Sequence, residues 1–138
     1  MQKHTLGIDL GTSGLRALLV ATDGCVIGSA EAHYSVFLPQ EPGKEGYSEQ
    51  NPHDWIKACT VALQELYHKF REAYVTIGAI GVAGHMHGAC CLDKAGQVLR
   101  PCILWNDTRS HAEAAVLDAT AQVRELSGNI VFPGFTAP

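Results

Sequence analysis

The stretch "TLGIDLGTSGLRALLV", residues 5–20, constrains this chain more than any other. Residues 5–9 and 15–20 read as strands, and the glycine- and hydroxyl-rich residues between them read as a turn of about four or five residues. Two strands joined so closely pair as an antiparallel hairpin. "ATDG" at 21–24 carries an Asp-Gly turn into a third strand over 25–36. The N-terminus is therefore expected to be a three-stranded antiparallel meander. A single acid, Asp9, stands at the end of the first strand, just ahead of the turn.

A polar loop rich in Pro and Gly follows at 38–46, and then a well-marked helix. Asn51 is its candidate N-cap, Pro52 suits the first helical position, and Asp54 complements the helix dipole. Trp55, Cys59, Ala62, Leu63, Leu66 and Phe70 fall on one apolar stripe, which should pack on a sheet face. "VTIGAIGVA" at 75–83 reads as a buried strand suited to the middle of a sheet. "GHMHG" at 84–88 follows as a functional turn. Two short strands, within 89–92 and 97–105, flank the turn "DKAG" at 93–96. A helix over 106–120 is expected, with Thr108 or Ser110 as cap, then a shorter one over 121–128 stopped by Gly128.

The order β-β-β-α-β differs from a Rossmann unit, which opens β-α-β. Neither GxGxxG nor GxxxxGK[ST] occurs, so dinucleotide fingerprint and Walker loop are both excluded. The net charge of −4, with no run of Lys or Arg, argues against a general nucleic-acid surface. Residues 74–92 carry no Asp, Glu, Lys or Arg and approach the length of a membrane span. Four glycines and two histidines within them favour strand, turn and strand instead. Asp9 interrupts the first apolar stretch too early for a signal peptide. The five cysteines lack paired CxxC spacing and read as free thiols in a reducing, cytoplasmic setting.

The turn itself suggests chemistry. Successive backbone N–H groups in a tight Gly/Thr/Ser turn converge and can hold a phosphate. Gly11 and Gly14 permit positive φ and close approach of a ligand, Thr12 and Ser13 add hydroxyls, and Arg16 adds a fixed charge. An acid beside phosphates repels them unless a cation lies between, so Asp9 implies Mg²⁺. The alternative is an ordinary hairpin in which Asp9 caps the turn amides.

"GIDLGTSGLRALLV" resembles the first phosphate loop of the FGGY carbohydrate kinases, within the actin–hexokinase superfamily. "YSEQNPHDW" (47–55), "IGVAGHMHGACCLD" (80–93), "LRPCILWNDTRS" (99–110) and "SGNIVFPGFTAP" (127–138) agree with that family in order and spacing. The resemblance implies an α/β chain of the ribonuclease H-like, actin-like ATPase fold. On it, residues 1–138 are an incomplete first domain, with the remainder of that domain and a second domain absent. Asp9 then matches the magnesium-linked catalytic acid, and Gly11, Thr12, Ser13, Gly14 and Arg16 the phosphate positions. Met86 and His87 match the sugar-contacting pair, and Trp105, Asn106 and Asp107 a segment near the sugar pocket. The family commonly has glutamine where this chain has His85.

The implied reaction is transfer of the γ-phosphoryl group of ATP, with Mg²⁺, to a primary hydroxyl of a sugar. Within the family, the "MHG" and "LWNDTR" forms, with "GN…PGFTAP", most resemble the members that act on D-xylulose. Kinases for ribulose or gluconate, or a non-catalytic module binding phosphate or a partner, are the alternatives. The family's general-base aspartate, second phosphate loop and adenosine site match nothing here, so this chain alone is expected to be inactive. Exposed apolar sheet surface, covered by a partner or a second copy as in a homo-oligomer, is expected as well.

For "GHMHG", strand alternation would place residues 85 and 87 on one face and Met86 on the other. His87 could then bond a sugar hydroxyl or ketone while Met86 packs on its carbons. A His-x-His metal pair and a buried histidine satisfied by backbone are the competing readings. Trp105 reads equally as core packing, and Cys90 and Cys91 as inert strand residues.

Overall fold

Alternate residues of the first two strands are withdrawn from solvent. Leu6 on one strand and Leu15, Ala17, Leu19 and Ala21 on the next are at most 5% exposed, while Thr5, Asp9 and Arg16 face outward. The computed structural model describes residues 3–134. Its elements in chain order are β1 (His4–Leu10), β2 (Gly14–Ala21), β3 (Val26–His33), β4 (Glu49–Gln50), α1 (Pro52–Lys69), α2 (Arg71–Tyr74), β5 (Ile77–Gly84), β6 (Cys102–Ile103), α3 (His111–Asp118) and α4 (Ala121–Ser127). They fall into two compact units. One holds the chain through Ser35 together with His53–His85, the other Val36–Pro52 and the chain from Met86 on.

The first unit is a mixed sheet in the order β3-β2-β1-β5 with α1 on one face. The β1/β2 and β2/β3 pairs are antiparallel, as the meander requires, and β5 joins β1 in parallel. Ala58, Ala62 and Leu66 of α1 are buried against Leu6, Leu15, Ala17, Leu19 and Ala30. Cys59, Leu63 and Phe70 flank them, so the stripe read from the sequence is the packing face, with Ala58 added and Trp55, which meets His85 instead, outside the cluster. Each fully buried leucine in such a core contributes about 1.5–3 kcal/mol. The helix begins at Pro52, directly after Asn51.

β5 departs from expectation. It is an edge strand here, not a central one, and from Gly78 onward it is exposed. Ile80 and Val82, paired in register with Leu6 and Ile8, are 63% and 75% exposed. The buried cluster around α1 reaches β5 only at Ile77. The composition reads as a strand covered on both sides, but cover is a property of neighbours, which the strand's own residues do not supply.

The second unit is organised on short pairings. β4 and β6 pair antiparallel through Glu49↔Ile103 and Gln50↔Cys102, extended by single bridges Phe37↔Glu49, Ala89↔Ile103 and Leu92↔Val98. The two strands expected around "DKAG" thus reduce to bridges and β6, and β4 and α2 were not foreseen. The turn itself is as read: the Gly96 amide donates to the Asp93 carbonyl at 3.0 Å, and the Asp93 carboxylate accepts the Ala95 and Gln97 amides at 2.8 Å.

The helix expected over 106–120 starts only at His111, after Ser110, whose hydroxyl makes no capping bond. Residues 104–108 are held instead by the 46–48 segment: the Leu104 amide donates to Ser48 and the Thr108 amide to Gly46, at 3.0 and 2.8 Å. α4 ends at Gly128 in the left-handed conformation, as predicted. Residues 135–138 of the motif at 127–138 lie outside the described residues.

All five cysteines are free, and burial pushes the Cys102 thiol up to about 11. Among the described residues no helix is long and apolar enough to cross a membrane.

Leu66→Ala is expected to cost about 2–5 kcal/mol, the penalty for emptying a buried leucine site. Val82→Ala should stay within about 0.5 kcal/mol, as an exposed substitution does. Urea unfolding of the two variants checks both, and equal losses would contradict the lack of cover over β5.

Candidate functional site

The hairpin turn occupies residues 11–13, shorter than expected, and closes with the Gly11 amide donating to the Gly14 carbonyl at 2.9 Å. Neither Gly11 nor Gly14 adopts positive φ, so the conformational reason offered from the sequence does not apply. Space is the reason at Gly14, where a Cβ would lie 2.8 Å from the Ala32 carbonyl oxygen. At Gly11 a Cβ would meet the Gly14 carbonyl oxygen at 3.2 Å.

Pairing register places Asp9, Arg16 and Glu31 in one row across β1, β2 and β3, on the face away from α1. Arg16 Nε donates to Glu31 Oε1 at 2.6 Å. Asp9 is exposed, and its carboxylate makes no hydrogen bond or ion pair among the described residues. It therefore does not cap the turn amides. Asp9, Gly11, Ser13, Gly14, Arg16 and Glu31 together line a depression of about 290 Å³. Thr12, between them in sequence, is not among its walls. One contributor escaped the sequence reading altogether: the Tyr34 hydroxyl donates to the Gly11 carbonyl at 2.6 Å.

At the other candidate, β5 stops at Gly84, whose φ is +104°. A Cβ there would lie 2.2 Å from the Leu10 carbonyl oxygen, the same oxygen that accepts the His85 amide at 2.9 Å. His85 and His87 also have positive φ, 42° and 60°. Strand alternation therefore fails over 85–87, and the two-face placement expected from it does not hold. Non-glycine residues in this region are uncommon and carry strain of about 1–3 kcal/mol each. His85 packs its ring 4.9 Å from that of Trp55, and burial lowers its pKa.

Met86 and His87 are exposed in the second unit. The Ala89 and Ile103 amides and carbonyls bond one another at 2.9 and 3.2 Å, so the segments bearing His87 and Trp105 leave adjacent ends of one antiparallel bridge. Asn106 is exposed and lines a cavity of about 370 Å³ with Leu38, Lys44, Tyr47 and Ser48. Gly134, with φ 76°, lies against the same turn; a Cβ there would fall 2.2 Å from the Trp105 carbonyl oxygen. Among the described residues no group of three His, Cys, Asp or Glu side chains could hold a metal ion.

Asp107 differs from its neighbours. It is 1% exposed, and its carboxylate accepts the Ser48 amide at 2.6 Å, the Arg109 amide at 3.0 Å and the Arg109 guanidinium at 2.9 and 2.7 Å. Arg109 also reaches Glu49 at 2.7 Å and lies over the Tyr47 ring, 3.7 Å from its centre. Burial pushes the Asp107 carboxyl up, but the Arg109 and Ser48 hydrogen bonds outweigh it and hold it below the ordinary value. The Asp107 hydrogen bond and charge hold the Arg109 guanidinium protonated more firmly than usual. The acid that the family resemblance places near the sugar pocket ties residues 46–50 to 104–109. Glu49 and Arg109, which complete the tie, carry no local signal that finds them.

Comparison with known proteins places these residues in context. Residues 4–138 match the family model described as the FGGY family of carbohydrate kinases, N-terminal domain. The chain is 42% identical over 134 residues to the xylulose kinase of Klebsiella pneumoniae, covering 96% of this chain and 26% of that protein. It is 40% identical over 138 residues to the xylulose kinase of Bacillus subtilis, covering 99% and 27%. Among solved structures, a xyloylose kinase from Brucella ovis superposes with a TM-score of 0.88 at 50% identity, over 95% of this chain and 27% of that one. A Plasmodium falciparum glycerol kinase with ADP shares the fold at a TM-score of 0.83 and 17% identity, over 99% and 27%. The chain thus spans about a quarter of the length of the curated relatives it matches.

Asp107→Ala leaves the part-buried Arg109 short of its principal partner and is expected to cost about 3 kcal/mol in chemical unfolding. The folded carboxyl of Asp107 titrates below that of the unfolded chain. Its stabilisation is therefore complete above about pH 4 and lost as pH falls through the folded value. The acid limb of a stability–pH curve should be shallower in the variant, and an unchanged limb would contradict the assignment.

Proposed function

The chain belongs to the FGGY family of carbohydrate kinases, and from that premise we propose that it serves transfer of the γ-phosphoryl group of ATP to a hydroxyl of D-xylulose. The relatives named xylulose kinase, at 40–42% identity, support this substrate over other sugars. The single observation that carries the phosphoryl-transfer reading is the unpaired, exposed carboxylate of Asp9 beside the Gly11–Gly14 turn.

On this reading the depression lined by Asp9, Gly11, Ser13, Gly14 and Arg16 receives the polyphosphate of ATP. Ser13 offers a hydroxyl, and Arg16, though held by Glu31, stands exposed at the rim. The donor set fits magnesium, a hard cation that takes one or two carboxylates along with phosphate oxygens. Asp9 is the residue that would hold it, directly or through water. Magnesium bound there supplies neutralisation of the charge that develops on the phosphoryl oxygens.

Met86, His87, Trp105 and Asn106 are the sugar-facing candidates. The exposed His87 imidazole can donate to or accept from a hydroxyl, and the exposed Met86 side chain can lie on a carbon skeleton. Asp107 acts by position, holding the turn that carries Trp105 and Asn106. It is not the proton acceptor, because a carboxylate already occupied by Arg109 and Ser48 has little basicity to offer. No residue of this chain is assigned as that acceptor, to a second phosphate loop or to an adenosine site.

In the complete kinase, Asp9→Ala is expected to lower kcat for D-xylulose phosphorylation by about 10²-fold or more, with extra magnesium failing to restore it. A coupled ADP-release assay over a panel of D-xylulose, ribulose and gluconate reads both the substrate and the role. Normal turnover by the variant would remove Asp9 from the mechanism, and preference for another sugar would displace D-xylulose.

A further inference from the structure

Tyr34 follows directly on β3 and bonds the phosphate turn twice. Its hydroxyl donates to the Gly11 carbonyl at 2.6 Å, and its own amide donates to the Ser13 carbonyl at 3.3 Å. These are the carbonyls of the first and last residues of the three-residue turn. A peptide unit is planar and trans, so a carbonyl held toward Tyr34 turns the next residue's N–H the opposite way. Fixing the Gly11 and Ser13 carbonyls therefore aims the Thr12 and Gly14 amides away from Tyr34. The ring that carries the hydroxyl is part-buried and packed against the core formed by α1 and the sheet, which anchors the donor.

Nothing in the local sequence marks Tyr34 for this task. It lies 23 residues from Gly11 and reaches it only because β3 runs back alongside β2 to the same end of the sheet. We propose that Tyr34 is a positioning residue for the phosphate turn: it fixes the two peptide planes whose amides must face the polyphosphate, and touches neither ATP nor sugar itself. The inference rests on the ATP-binding reading of the turn. Burial and the nearby Asp9 charge keep the phenol protonated, as a donor must be.

Tyr34→Phe retains the packed ring and removes only the hydroxyl. In the 138-residue chain, exchange of the Gly11 amide, bonded to Gly14, is expected to quicken by about three- to tenfold. Amides in the middle of β1 and β2, such as those of Leu6 and Leu19, should keep their rates and so report an intact fold. In the complete kinase, KM for Mg·ATP should rise by about three- to tenfold while KM for D-xylulose stays within about twofold. A variant that is merely less stable would lose activity with both KM values unchanged. Unchanged Gly11 exchange, an unchanged KM for Mg·ATP, or an equal rise for both substrates would overturn the proposal. An unmodified kinase that fails to phosphorylate D-xylulose would overturn the function proposed above, while Gly11 exchange still decides the role of Tyr34.

Discussion

Leu6 on β1 and Leu15, Ala17 and Leu19 on β2 are buried against Ala58, Ala62 and Leu66 of α1, and this burial pins the register of the hairpin. A slip of one residue would turn that entire apolar set to solvent and bring Asp9 and Arg16 beneath the helix. The energetic gap between the two registers is several buried leucines deep, far more than any turn contact could offset. The charged row Asp9, Arg16, Glu31 therefore lies outward because of what happens on the opposite face. The position of the turn at residues 11–13 is a consequence of core packing, two residues on from Asp9.

Asp9 and Asp107 show how environment divides two carboxylates of one chain. Asp9 is exposed, and its cross-strand neighbour Arg16 is engaged by Glu31 on the other side, which leaves the acid open to a cation. Asp107 is enclosed and fully engaged, its charge matched by Arg109 and its oxygens by backbone amides. A buried charge so paired is costly to disturb but poor as a reagent, whereas an exposed and unmatched one has little structural value and much chemical value. The same contrast separates the two histidines of "GHMHG". His85 is packed on Trp55 and disfavours its charged form, while His87 is the more exposed of the two.

Much of the first unit, and one turn of the second, was legible in the residues. Period-two alternation gave β1 and β2, the 3.6-residue stripe and the Asn51–Pro52 start gave α1, and Asp23–Gly24 and Asp93–Gly96 gave their turns. Where reading failed, the missing information was non-local. β4, two residues long, exists only because Glu49 and Gln50 meet Ile103 and Cys102 more than fifty positions later. α3 starts late because the residues before it are bonded to the 46–48 segment. The strand geometry expected through residue 87 ends at Gly84, where close approach to the Leu10 carbonyl forces a left-handed turn.

The sequence by itself determined which residues form the first hairpin turn, which face of α1 would be apolar, and which family the chain resembles, because these depend on spacing within short windows. Tertiary structure alone decided that the Asp9 carboxylate is unpaired among the described residues, that Asp107 is tied to Arg109 and Ser48, that β5 lies uncovered at an edge, and that Tyr34 grips the turn. Each of those outcomes is a pairing between residues distant in the chain. Hydrogen-bond partners and burial are set by which segments meet in space, and local periodicity carries no record of that meeting.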